Sequence, residues 1–165
     1  GKSTAVPQFL GRRGYTNQGS IACTQPRRIA ASSLSRWVAD LHGSELGQMV
    51  GYSVRFDHQT SDATRIKYMT DGMLLHEATF DCRLSSYAVI VLDEVHERTL
   101  ASDVLLGLLR STLRQRLDLK LVIMSATLEV AKFRAFFACE HIVVPGRTYP
   151  VKVEYAPAPV TDYVE

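Results

Sequence analysis

The chain has 165 residues, 46% apolar and 22% charged, with a formal net charge of +2 at neutral pH. That size and balance fit one domain of ordinary globular composition and exclude a disordered or fibrous chain. A charge so close to zero leaves no overall basic footprint, so any contact with nucleic acid has to come from local clusters. No apolar run nears the roughly 18 residues of a membrane span, and no signal-peptide layout opens the chain; it reads as soluble and intracellular, with no membrane partner.

The first residues are "GKST" (1–4), followed by a helical pattern from Lys2 to Leu10. They match the second half of the phosphate loop G-x-x-x-x-G-K-[ST], which opens a helix in the same way. Backbone N–H groups and the dipole of a helix N-terminus favour an anion there. Lys2 has the reach for outer phosphates, and the Ser3 hydroxyl suits a magnesium ion. Four residues alone also fit a chance tetrapeptide, and the Gly-rich half of the loop, with the strand that feeds it, is expected ahead of Gly1.

Further along, apolar runs alternate with helical patterns. Strands are expected at 20–24, 49–54, 65–69, 87–93, 119–125 and 141–145, mostly as continuous apolar runs suited to a sheet covered on both faces. Helices are expected at Pro26–His42, Asp71–Thr79, Asp103–Arg116 and Ala131–Ala138, with Pro26 at the first helical position. In the third of these, Val104, Leu105, Leu108, Leu109 and Leu113 form one apolar stripe. The order is that of an α/β fold with a mostly parallel sheet and helices on both faces. After "PGRTYPV" (145–151) the chain turns Pro-rich, so residues 1–145 are expected to form one domain and 146–165 a linker or the start of another. The three cysteines, Cys23, Cys82 and Cys139, are widely spaced among apolar neighbours and read as reduced core residues.

Chemistry concentrates at the expected strand ends. "VIVLDEVHERT" (89–99) sets Asp93, Glu94 and His96 behind five apolar residues. A nucleotide site needs an acid at such a strand end to hold Mg²⁺, here Asp93, and a second carboxylate to orient or deprotonate water, here Glu94. Strand-end acids also serve simply as solvated turn residues. "SAT" (125–127) closes the next strand, where Ser125 and Thr127 have hydroxyls within potential reach of His96, or act as a helix cap. Arg27, Arg28 and Arg36 lie in "QPRRIAASSLSR" with no acid until Asp40, and "TDG" (70–72) supplies Thr70 at a helix start. These fit phosphate contact or a solvated helix face. Thr24 and Thr70 both end apolar strands, so their loops are expected on one sheet edge, which favours binding. The histidines show no metal-ligand spacing, and there is no G-x-S-x-G elbow.

Five fragments in order, "GKST", "TQPRRIAA", "TDGMLL", "DEVHERT" and "SATL", resemble motifs I, Ia, Ib, II and III of the DEAH-box RNA helicases of superfamily 2. The likeness extends through "VGYSVRF" and "PGRTYPV" and is nearest the branch acting in pre-mRNA splicing and ribosome biogenesis. It implies the first RecA-like domain of an ATP-dependent RNA helicase, a hydrolase that moves along single-stranded RNA in the nucleus, nucleolus or cytoplasm. It further implies that Gly1, Lys2 and Thr4 contact phosphate, that Ser3 and Asp93 hold Mg²⁺, and that Glu94 activates water. Arg36 would stack on the nucleotide base. His96, Ser125 and Thr127 would couple nucleotide state to movement, while Arg27, Arg28, Arg55 and Thr70 would meet RNA. Val95 stands where the family has Ala.

The resemblance also places arginine fingers, worth on the order of 10³ to 10⁵ in rate, in a second RecA-like domain in cis. These 165 residues are therefore expected to hydrolyse ATP negligibly by themselves, and an activating protein partner is a further expectation. Two other readings stay open: a non-catalytic phosphate-loop scaffold that binds proteins, and a motor that tracks DNA, since phosphate contacts do not read the 2′-hydroxyl.

Overall fold

The computed structural model describes residues 1–126, 130–146 and 149–155. The chain divides into two compact units, Gly1–Glu129 and Val130–Glu165. In the first, six strands form one sheet: β1 (Ser20–Gln25), β2 (Val50–Val54), β3 (Asp57–Gln59), β4 (Ile66–Thr70), β5 (Tyr87–Leu92) and β6 (Lys120–Ile123). Their order is β3-β2-β4-β1-β5-β6, and every neighbouring pair is parallel except the β2–β3 hairpin. Four helices accompany them: α1 (Lys2–Arg12), α2 (Arg28–Leu41), α3 (Asp71–Phe80) and α4 (Leu100–Gln115).

The central strands are apolar without alternation because both their faces are covered. Ile21, Cys23, Tyr52, Ile66, Tyr68, Val89 and Val91 cluster with Ala31 and Val38 of α2. The intervening Ala22, Thr24, Ile90 and Leu92 are equally buried, on the side where α3 packs on β4 and β1, and α4 on α3. Each Ile or Leu side chain so enclosed contributes about 1.5–3 kcal/mol relative to exposure. This is the expected α/β architecture.

Parallel strands put all their C-terminal ends on one rim. Gln25 of β1 stands opposite Thr70 of β4, Thr24 opposite Leu92 of β5, and Leu92 opposite Ile123 of β6. The loops after Thr24 and Thr70 thus share an edge, as expected. Ligands of open α/β sheets bind outside such a rim.

Local details depart from expectation. β3 escapes notice in the sequence because "DHQ" is polar and exposed; its pairing comes from the hairpin, with Tyr52 opposite Gln59 and Val54 opposite Asp57. Gly51 permits the close approach, since a Cβ there would lie 2.3 Å from the Gln59 carbonyl oxygen. α2 begins at Arg28 with Arg27 as N-cap, so Pro26 sits ahead of the helix and not in its first turn. α4 begins three residues early, at Leu100, because the Thr99 hydroxyl accepts the Ser102 N–H at 3.0 Å. Its buried stripe is accordingly Ser102, Leu105, Leu106, Leu109 and Thr112, and Val104 is exposed. Cys23 is a core residue, whereas Cys82 and Cys139 are exposed: apolar neighbours in sequence do not ensure burial in a loop.

The second unit holds α5 (Val130–Phe137), and its other described residues have no regular structure. The strand expected at 141–145 is absent. Ile142, Val143 and Val144 are largely exposed, and a β-branched run becomes a strand only where a neighbour supplies a ladder and cover.

Candidate functional site at the sheet rim

β5 runs buried to Leu92 and delivers Asp93 to the rim, where it is only 3% exposed. Its Oδ2 accepts the Gln25 side-chain amide at 2.7 Å and its Oδ1 accepts the Glu94 N–H at 2.9 Å. A carboxyl group this buried needs such donors, because burial of unpaired polar atoms is costly. Immediately after it the chain reverses: Glu94 and Arg98 both adopt left-handed backbone, with φ of 53° and 51°, around a single 3-10 turn at Val95–Glu97. Strain of this kind concentrates at functional loops. Val95 is buried beneath the turn and its N–H donates to the Met124 carbonyl at 3.2 Å, tying the loop to the end of β6.

That tie brings the next fragment into place. His96 Nδ1 lies 3.3 Å from Glu94 Oε2 and 3.3 Å from the Ala126 N–H. One nitrogen cannot donate to the first and accept from the second at once, so Nδ1 serves either Glu94 or the segment after β6 at any moment. This contact uses the Ala126 backbone; Thr127 lies outside the described residues.

α1 reaches the same rim with its N-terminus. Lys2 Nζ donates to the Ser125 carbonyl at 2.9 Å, and the Tyr68 hydroxyl, from the middle of β4, donates to the Ser3 carbonyl at 2.9 Å. Burial raises the Tyr68 phenol pKa strongly, with nearby Cys23 and Asp93 adding to the shift, so Tyr68 is a permanent donor whose surroundings include both Ser3 and Asp93. The Thr4 hydroxyl donates to the Gly1 carbonyl at 2.9 Å. Lys2, Ser3, Asp93, Glu94, His96 and Ser125 are therefore gathered on one rim.

The donor set suits a hard cation. Ser3 and Asp93 offer oxygen, and among the described residues no three His, Cys, Asp or Glu side chains cluster. Magnesium is held in this sparse way, by one or two protein oxygens with phosphate and water completing the octahedron.

A second cluster occupies the β2 end of the rim. Arg27, Arg28, Ile29, Ser32, Val54 and Asp57 line an open groove of about 820 Å³. Arg27 reaches Glu97 at 3.4 Å. Arg55 lies over the ring of Phe56, 4.8 Å from its centre, and Phe56 is 88% exposed with a φ of 68°. Thr70 precedes α3 with no capping bond from its own side chain. Arg36 is eight residues beyond Arg28, about 12 Å along α2, and interacts with the Tyr52 hydroxyl in the middle of β2, which itself donates to Asp57 of the groove at 2.8 Å.

Sequence reasoning missed Gln25 and Phe56. Gln25 gives no signal, because its partner lies 68 residues away. Phe56 has one in hindsight, an aromatic between Arg55 and Asp57 at a hairpin tip. No helix among the described residues is long and apolar enough to cross a membrane. No protein-family model matches the chain.

Proposed function

We propose that this chain is the first RecA-like, nucleotide-binding domain of an ATP-dependent RNA helicase similar to the DEAH-box proteins. The observation that carries the reading is the meeting of the α1 N-terminus with the Asp93 loop through Ser125 and Tyr68 on one rim. In this reading Lys2, now resting on the Ser125 carbonyl, turns to the outer phosphates of ATP, and the free N–H groups of the first α1 turn face the same anion. Ser3 and Asp93 hold Mg²⁺, Asp93 through water; the ion neutralises charge on the phosphates. Glu94, 37% exposed, is open enough to meet a water and orients it or takes its proton. His96 lies between Glu94 and Ala126, the place where a change at the phosphates passes to the segment after β6.

Single-stranded RNA would lie along the arginine groove, with Arg27, Arg28, Arg55 and Thr70 at its phosphates. Arg36 is left as a contact for the nucleotide base beyond the rim. Exposed cations and a hydroxyl at helix starts suit phosphate recognition that is indifferent to sequence.

The test is nucleotide binding followed by fluorescence. The chain should bind a fluorescent ADP more tightly with Mg²⁺ than in EDTA, and Lys2→Ala should weaken both. Asp93→Ala should remove the Mg²⁺ increment, a loss on the order of 10²-fold. Binding that ignores Mg²⁺, Lys2 and Asp93 alike would sink the reading and favour a scaffold. Competition between matched RNA and DNA oligonucleotides decides the strand.

A further inference from the structure

Gln25 has no part in the roles above, yet it ends the central strand with its amide on Asp93. We propose that Gln25 is the positioning residue for Asp93: it pins one carboxylate oxygen so that the remaining lone pairs face a magnesium-bound water. The proposal rests on the nucleotide reading given above and adds to it the residue that orients the metal ligand.

Rigidity is the first argument. Gln25 is 3% exposed and ends β1, which is paired on one side to β4 and on the other to β5. Its backbone therefore moves only with the sheet. Asp93 has no such anchor of its own, because β5 ends at Leu92 and the chain reverses at Glu94.

Geometry is the second. A carboxylate offers about four acceptor positions. Glu94 N–H takes one on Oδ1 and the Gln25 amide one on Oδ2. Both oxygens are thereby held, the plane of the group is set, and acceptor capacity is left for water.

Chemistry is the third. An amide orients the carboxylate without cancelling its charge. A Lys or Arg at the same position would orient it equally well but would compete electrostatically with the cation. The Gln25 side chain also interacts with the Cys23 thiol two residues back on the same strand.

The experiment is a Mg²⁺ titration of fluorescent ADP binding by the full chain, comparing wild type with Gln25→Met, which keeps length and loses the donor. The expected result is unchanged affinity in EDTA and a Mg²⁺ half-saturation raised roughly 10-fold to 100-fold. A Gln25→Met chain with the wild-type Mg²⁺ half-saturation, even if its thermal stability drops, overturns the proposal. A wild type with no Mg²⁺ increment overturns the nucleotide reading and Gln25 with it, so the two failures are distinct. Should circular dichroism show Gln25→Met unfolded, the wild-type Gln25 side-chain amide resonance decides. It should exchange slowly and shift when Mg²⁺ and ADP are added; fast exchange with no shift refutes the role.

Discussion

The two ends of the rim are built on opposite physical plans. At the β5 end, Asp93 is buried, both its oxygens are occupied, and the loop after it is strained and tied by backbone to β6. At the β2 end, Arg27, Arg28, Arg55 and Phe56 stand in solvent, and the Arg27–Glu97 ion pair spans 3.4 Å with Arg27 mostly exposed. Burial fixes geometry at a cost that hydrogen bonds must offset. Exposure leaves charge free to follow a flexible polyanion, with each contact worth little and open to screening. The lesson is that chemistry and strand contact share one edge of the sheet but not one degree of order.

The harshest way to break that comparison is Gly51→Ala. A Cβ 2.3 Å from the Gln59 carbonyl oxygen cannot be housed without moving the hairpin. Overpacking of this kind costs about 1–3 kcal/mol, to be read by urea denaturation. It should disturb Arg55 and Phe56 and weaken RNA binding, while the Mg²⁺-dependent nucleotide affinity stays put. Equal losses at both ends would show that the two are not independent.

A gentler probe is Arg28→Ala. It should weaken single-stranded RNA binding for all sequences alike and lower the slope of log affinity against log salt by about 0.7, one phosphate's share. Glu97→Ala, which releases Arg27 from its partner, should act in the opposite direction and strengthen binding, with stability changed by no more than about 1 kcal/mol. If neither variant moves the salt slope, the arginine groove is not the phosphate path.

The smallest effect concerns Asp71, at the start of α3. Burial raises its carboxyl pKa above the ordinary 3.8, and the Thr99 hydroxyl, 3.3 Å away, works against that rise. A raised carboxyl holds its proton more tightly folded than unfolded, so ionising it destabilises the fold. The penalty is absent below about pH 3.8, grows up to the raised folded value and is constant above that. Asp71→Asn should therefore stabilise the chain at neutral pH, with a gain that fades on acidification. Denaturation midpoints across the acid range check this; a gain that grows as pH falls contradicts it.

Legibility differs along the chain for physical reasons. The continuous apolar runs of β1 and β5 could be read because burial on both faces leaves no other composition. β3 could not, because three polar residues become a strand only through the hairpin that presents them. The false strand at 141–145 is the converse case: strand-like residues that meet no partner. At the site, Lys2 stood out through the match of "GKST" to the phosphate loop, and Asp93, Glu94 and His96 because charge next to an apolar run is conspicuous in one dimension. Gln25 and Tyr68 did not, since an amide and a phenol are unremarkable until folding aims them at Asp93 and Ser3.

By itself the sequence determined the kinds of element, the parallel α/β class and which residues carry charge at strand ends. Those follow from local periodicity and composition, which act over a few residues. Only the tertiary structure decided that α1, the Asp93 loop and the end of β6 meet. It also decided which neutral side chains brace them and that Arg36 meets Tyr52, the partner of Asp57. Those depend on contacts between residues far apart in the chain, whose pairing is set by the order of the strands in the sheet.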